Sequence, residues 1–331
     1  MGGGFGRRSK NDFVEKTVEV AARVKRPVKV VWSREEDIAS DWYRPAVGVQ
    51  VRLGMTPEHG VALAGVVAAP SLTAAYRPGA RVDAFDPIAL EGLSDATYAF
   101  SDLDLRYARV ESGVPIWFWR SVSNSHNTFA LECALDELAA AADLDPVGMR
   151  RRLLAADPVA LDLLDRLAGL TKDLDVDKSL RHGIAFASMR GSRLVARVDL
   201  SMPQARHVRL HRITCVVNCG LVVNPLAAEA QIEGGIVFGL SAAMWGRIGI
   251  ANGTAVERNF DRYKVARIGH VPPITVSFVP GGGTPGGLGE VGTGVIAPAL
   301  ANAVRAATGK PIRSLPMADL GFTFAPDAPA S

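Results

Sequence analysis

G-G-L-G-E-V-G-T-G-V-I-A-P-A-L-A-N-A-V-R-A-A-T-G, Gly286 to Gly309, sets a loop nearly bare of side chains directly ahead of an apolar, alanine-rich run. The run from Ala297 reads as a helix stopped by Gly309, because a glycine just past the last periodic residue accepts the left-handed turn that ends helices. One acid, Glu290, stands in the loop among glycines and aliphatics, with few obvious ion-pair partners. A carboxylate in such surroundings serves as a general base or as a solvated turn residue, and both readings stand on this stretch alone.

Two other stretches share this character. M-G-G-G-F-G-R-R, Met1 to Arg8, places glycines ahead of a helical pattern at 12–25 that Pro27 closes. Bare backbone there could approach a ligand, and a following helix start favours anions; a loose terminus is the other reading. The spacing misses the GxGxxG of dinucleotide folds and no strand pattern precedes it. W-F-W-R-S-V-S-N-S-H-N, Trp117 to Asn127, surrounds Arg120 with aromatic groups and leads into a helix with Asn127 as its cap. That arrangement is a wall for a planar substrate or a structural cation–π cluster. His126 reads as a donor to backbone near the helix start, since no second His or Cys lies at ligand spacing.

Outward from these sites, V-K-V-V-W (28–32) reads as a strand, and S-R-E-E (33–36) has the spacing of a capping box that opens a short helix. Strands are expected at 47–53, 61–68, 105–110, 193–200, 207–218 and 272–279, and helices at 127–142, 145–154, 157–167 and 224–244. Residues 70–104, rich in Pro, Gly and Asp, read as a long connection. The polar stretch 171–178 reads as a hinge. Strands and helices do not alternate regularly, so two mixed α+β lobes fit better than a doubly wound sheet.

Composition narrows the function. The 331 residues are 48% hydrophobic with a net charge of +3, and the 37 basic and 34 acidic residues are interspersed, which leaves no nucleic-acid footprint. No apolar run is long enough to span a membrane. The three cysteines, Cys133, Cys215 and Cys219, make neither a disulfide framework nor, alone, an iron–sulfur site, and read as buried free thiols.

Taken together, G-G-G-F-G-R-R, W-R-S-V-S-N-S-H-N-T-F-A-L-E, C-V-V-N-C-G-L-V-V-N-P, A-Q-I-E-G-G-I-V-F-G-L-S-A-A, N-F-D-R-Y-K-V and the final glycine loop with its helix resemble, in order, the molybdenum-binding subunit of the xanthine dehydrogenase/aldehyde oxidase family. The likeness is to the branch typified by isoquinoline 1-oxidoreductase beta subunits. It implies an α+β fold of two mixed α/β molybdopterin-binding lobes. The first, partial, would span 1–170 and the second 180–322, with a hinge at 171–179 and a tail at 323–331. It implies the C-terminal half of a molybdenum hydroxylase large subunit, oxidising an aldehyde or N-heterocycle with water-derived oxygen and active only with a partner chain.

Carried across by motif, Glu290 is the general base and Arg120 the cation beside the metal. Gly4, Phe5, Gly6, Arg7, Ser121, Gln231, Gly287 and Gly289 line a molybdenum–molybdopterin group, of cytosine dinucleotide form, whose metal is held by the pterin dithiolene. For Gln231 alone, a polar residue satisfied within a buried helix is the other reading. Implied partners are the N-terminal half of the subunit, an iron–sulfur subunit and the small-molecule substrate, with no nucleic acid and no membrane span. Cytoplasmic and periplasmic locations both stand. So does a second reading, a non-catalytic remnant or scaffold piece that keeps the fold without cofactor. The chain departs from the family pattern at G-I-A-F-A-S-M-R-G-S (183–192), which lacks the usual His and Glu, and at V-G-T-G-V-I-A-P, which lacks two usual prolines.

Overall fold

The computed structural model describes residues 3–56, 60–82, 85–279 and 281–325, together with the side chains within these ranges other than those of residues 175 and 176. The chain opens with α1 (Asp12–Val24) and α2 (Arg34–Ala39). The expected cap is present: Ser33 accepts from the Glu36 amide at 3.2 Å. Residues 28–32 differ from expectation. They join no sheet and make no backbone hydrogen bond with another described residue.

β1 (Gly48–Met55) and β2 (Val61–Ala69) form an antiparallel pair, as their alternation requires. The connection that follows is not featureless. It carries α3 (Leu72–Tyr76) and α4 (Pro87–Leu90) and returns the chain to β3 (Asp102–Arg109), which pairs with β2 in parallel. Parallel neighbours need such a crossover, which accounts for the length of the connection. Then come α5 (Asn124–Ala141), α6 (Pro146–Leu153) and α7 (Pro158–Thr171). The last two begin alike. Asp145 and Asp157 accept from the amides of Gly148 (2.8 Å) and Ala160 (3.1 Å), with proline at the first turn. Asn127 is no cap, because α5 starts three residues earlier. Its side-chain amide instead donates to the carbonyls of Ala89 and Glu91, both at 2.8 Å, and fixes the crossover to the helix. The stretch read as a hinge forms a short 3₁₀ turn, Lys172–Val176.

The second sheet is an antiparallel meander of β4 (Arg181–Met189), β5 (Ser192–Gln204) and β6 (His207–Asn218). α8 (Pro225–Trp245) follows, capped by Asn224. After the small hairpin of β7 (Ile250–Ala251) and β8 (Thr254–Ala255), β9 (Ile274–Phe278) joins β6 in parallel. α9 (Val291–Thr308) starts six residues earlier than its apolar run suggests and carries Pro298 within it. β10 (Thr323–Phe324) pairs with the other end of β6.

This sheet is the middle layer. Ala185, Ala187 and Met189 of β4 pack with α8 and α9, while Ile184 and Phe186 face a second core built with α5, α7 and the first sheet. Strands buried on both faces lose the polar alternation that marks a surface strand. α9 lies directly on β4. A Cβ on Gly183 would collide with the backbone of Ala303 and Asn302, so only glycine permits this crossing.

Candidate functional site

Three segments distant in sequence meet at the N-terminus of α9. The Arg120 turn is the hub. Ser121 and Val122 both hold positive φ, 73° and 45°, so the backbone doubles back just before α5. Arg120 is buried; its Nε donates to the carbonyl of Gly289, and its Nη2 reaches the carbonyl (3.3 Å) and side-chain Oε1 (3.2 Å) of Gln231 on α8. Ser121 Oγ donates to the Glu290 carbonyl at 2.5 Å. One turn of chain thus clamps both the glycine loop and α8. Burial pulls the Arg120 pKa down, against the opposing charge of Glu290.

The first glycine loop closes another side. Gly6, at φ 99°, lies flush on the backbone of Phe118, and the Arg7 amide donates to the Gly4 carbonyl at 2.8 Å. The Phe5 ring stacks on Phe238 of α8 (centroids 4.8 Å apart), and Phe238 stacks in turn on Trp119 (5.0 Å). The Arg120 guanidinium carbon is 5.8 Å from the Phe5 ring centre and 5.9 Å from that of Phe238, a cation set against two aromatic rings. Arg7 points elsewhere and pairs with Asp12 and Asp41.

Glu290 is the N-cap residue of α9, but its side chain makes no cap bond. The sequence reading gave it few ion-pair partners; the fold supplies one. Arg190, at the tip of the β4–β5 hairpin, reaches Glu290 Oε2 at 3.2 Å and Glu91 at 3.0 Å. Arg190 and Gly191 both have positive φ, 51° and 79°, and form the tight two-residue turn that hairpins favour. Burial lowers the Arg190 pKa, but Glu91 and Glu290 outweigh it and leave the group above its ordinary value. Burial raises Glu91, with Arg190 opposing. The glycine loop rests on this hairpin: the Gly287 amide donates to the Arg190 carbonyl at 2.8 Å, and a Cβ on Gly286 would sit 2.6 Å from the Gly191 carbonyl.

His126 differs from expectation too. Its Nε2 is buried with no partner, and burial pushes its pKa down to about 3. Phe238, Arg190 and Glu91 were missed in the sequence. Phe238 carried a signal, because it lies seven residues after Gln231 and hence on the same face of α8. Arg190 and Glu91 carried none, since their meeting with Glu290 depends on the tertiary fold.

Comparison with known proteins gives this arrangement a context. Residues 1–154 and 186–272 match family models described as molybdopterin cofactor-binding domains. The chain belongs to the molybdenum-binding subunits of the xanthine dehydrogenase family. It is 27% identical to isoquinoline 1-oxidoreductase subunit beta of Brevundimonas diminuta, over 96% of this chain and 42% of that protein. It is 29% identical to a membrane-bound aldehyde dehydrogenase (pyrroloquinoline-quinone) of Gluconacetobacter polyoxogenes, over 96% of this chain and 45% of that one. The chain therefore spans less than half the length of these relatives. Among solved structures, quinoline 2-oxidoreductase of Pseudomonas putida 86 superposes with a TM-score of 0.81 at 12% identity, over 96% of this chain and 66% of that one. Aldehyde oxidoreductase of Desulfovibrio gigas gives 0.74 at 14%, over 96% and 53%. These likenesses show the fold, α+β with mixed sheets. Among the described residues, no helix is long and apolar enough to cross a membrane.

The donors at the site suit a molybdopterin group. The Val291 and Gly292 amides open α9 without a hydrogen-bond partner among the described residues, and an 18-residue helix directs its positive end there. Gly289 has open space where a side chain would stand, and the Gln231 amide lies at the surface of α8 beside it. Backbone N–H groups, an amide and a guanidinium are the donors that an anionic, oxygen-rich organic ligand needs.

Proposed function

We propose that this chain is the C-terminal half of a molybdenum hydroxylase large subunit, acting on an aldehyde or N-heterocycle together with a partner chain. The observation that carries the reading is the junction of Phe5, Arg120, Gln231 and Glu290: four residues from four distant segments, gathered around one buried guanidinium. Gly4 to Gly6, Ser121, Gln231, Gly287 and Gly289 would hold the molybdopterin, of cytosine dinucleotide form. When bound, that group supplies the redox chemistry and the oxygen-transfer centre.

The protein's own contribution is positional and protonic. Arg120, held by three acceptors, presents its charge to the developing negative charge. Phe5 and Phe238 set their rings against the Arg120 guanidinium. Glu290 keeps Oε2 on Arg190, while Oε1 has no hydrogen-bond partner among the described residues and takes the proton. The N-terminal half of the subunit and an iron–sulfur subunit complete the assembly. A division into lobes at 1–170 and 180–322, with a hinge at 171–179, belongs to the same proposal.

The test is Glu290→Gln in the chain produced with its partner. Molybdenum and pterin contents should stay near the parent's, while turnover falls by about 10²–10⁴, the usual worth of a general base. Unchanged turnover removes Glu290 from the mechanism. A parent complex without molybdenum or pterin points instead to the scaffold reading.

A further inference from the structure

The tip of the β4–β5 hairpin carries a residue that its backbone does not favour. Arg190 holds the first turn position at φ 51°, ahead of Gly191 at 79°. Gly, Asn and Asp suit that position, whereas the Cβ of a longer residue crowds the following carbonyl. Strain of this kind clusters at functional sites. The side chain spans two carboxylates: Nη2 lies 3.0 Å from Glu91 Oε1 and Nε 3.2 Å from Glu290 Oε2. Among the described residues Arg190 is the one hydrogen-bond donor to the Glu290 carboxylate, which makes no cap bond to α9. Arg120 bonds the Gly289 carbonyl and Gln231, so it supplies charge without setting the direction of that carboxylate.

Both ends of the bridge are themselves fixed. The Glu91 side chain is 17% exposed, and the Glu91 carbonyl accepts from Asn127 Nδ2 of α5 at 2.8 Å. The Arg190 carbonyl accepts from the Gly287 amide of the glycine loop at 2.8 Å. Met189, one residue before Arg190, is buried in the core shared with α9. We infer that Arg190 is the positioning residue of the Glu290 carboxylate, anchored by Glu91 and kept at a strained turn position for that task. This rests on the reading of Glu290 as the base. A planar guanidinium suits the role, because its fork bonds two carboxylates at once in a fixed geometry. Without it the base is present but unaimed, and a misplacement of about 1 Å costs up to about 10²-fold in rate.

The experiment uses the chain in complex with its partner and compares Arg190→Asn, Glu290→Gln and the double variant. Asn accepts positive φ, so Arg190→Asn should keep or raise the melting temperature and keep the molybdenum and pterin contents. Its kcat should fall about 10–100-fold with KM held within about twofold, because aim is lost and binding is not. In the Glu290→Gln background the same change should alter turnover by less than about twofold, since Arg190 acts through Glu290. A second readout is independent of activity. Carbodiimide coupling of glycine ethyl ester to Glu290, followed by peptide mass spectrometry, should run several-fold faster in Arg190→Asn than in the parent. Arg190→Gly, which the turn also accommodates, should repeat each result. Full turnover in Arg190→Asn while Glu290→Gln is impaired overturns the inference alone. So does an additive loss in the double variant, or labelling of Glu290 at the parent's rate. Full turnover in Glu290→Gln overturns the reading of the base instead, and labelling then decides whether Arg190 holds that carboxylate.

Discussion

β4, β5, β6 and α9 make up one standard of construction, and residues 3–60 another. In the first, strands are buried on both faces and α9 rests on Gly183 with no space for a methyl group. In the second, no described residue is buried. Hydrophobic content does not account for the contrast, since Val14, Val18, Val28, Val30, Val31 and Trp32 are as apolar as many core residues. What differs is whether this chain itself provides the opposing surface. The sheet and its helices close on each other, whereas α1 and 28–32 leave Val14, Val18, Val20, Val24 and Val31 exposed.

Substitutions should fall very unequally on the two regions. The largest effect is expected at Arg150, a fully buried guanidinium that ties α6 to α5. It bonds Glu132 Oε2 at 2.8 Å and Asp136 Oδ1 at 2.6 Å, and Glu132 also accepts from Tyr98 (2.5 Å) and the Phe186 amide (2.8 Å). Burial raises the Glu132 pKa, and Arg150 is the first group to oppose it. Arg150→Met strands two carboxylates without their cation, so a loss of about 3–5 kcal/mol is expected by urea denaturation. A loss under about 1 kcal/mol would mean that the network is not what fixes this face of the core.

A middle-sized effect is expected from acid. The unfolded His126 titrates near 6.5, and burial holds the folded side chain at about 3. Below pH 6.5 the unfolded chain binds a proton that the folded chain refuses. This share of stability is therefore complete above 6.5 and declines as pH falls towards 3, by about 1.4 kcal/mol per pH unit. By pH 5 the loss is about 2 kcal/mol. Denaturation midpoints at pH 7 and pH 5 should diverge in the parent and converge in His126→Gln; equal divergence in both would assign the acid sensitivity to other groups.

How far the sequence could be read follows the same division. Local chemistry was legible: Ser33 caps its helix as the S-R-E-E spacing predicts, because a cap depends on residues three apart. The helix from Ala297 was placed late, because Glu290 to Ile296 lack the usual start signals and Gly292 and Gly294 weaken the helical pattern. The strand pattern at 28–32 was read from β-branched alternation, but these residues pair with no strand among the described residues. At the site, the glycine loops, Arg120 and Glu290 stood out by composition. Arg190 could not, because a hairpin tip brings it to Glu290 across 100 residues. Asn127 shows the reverse error: a cap-type residue at a plausible helix start that the fold uses to hold a crossover.

The smallest effect should come from the open region, and its smallness is informative. Val18 lies mid-way along α1 and is 60% exposed. Val18→Glu puts a carboxylate on a surface that this chain leaves wet, next to Lys25 and Arg26 in charge if not in contact. Exposed substitutions away from special backbone or paired groups change stability by within about 0.5 kcal/mol. The isolated chain should therefore keep its denaturation midpoint within that margin. A buried position of the same type, Val195 at 0% exposed, should not tolerate the change at all, since an unpaired carboxylate would enter the core. If Val18→Glu cost as much as Val195→Glu, α1 would already be packed in the free chain.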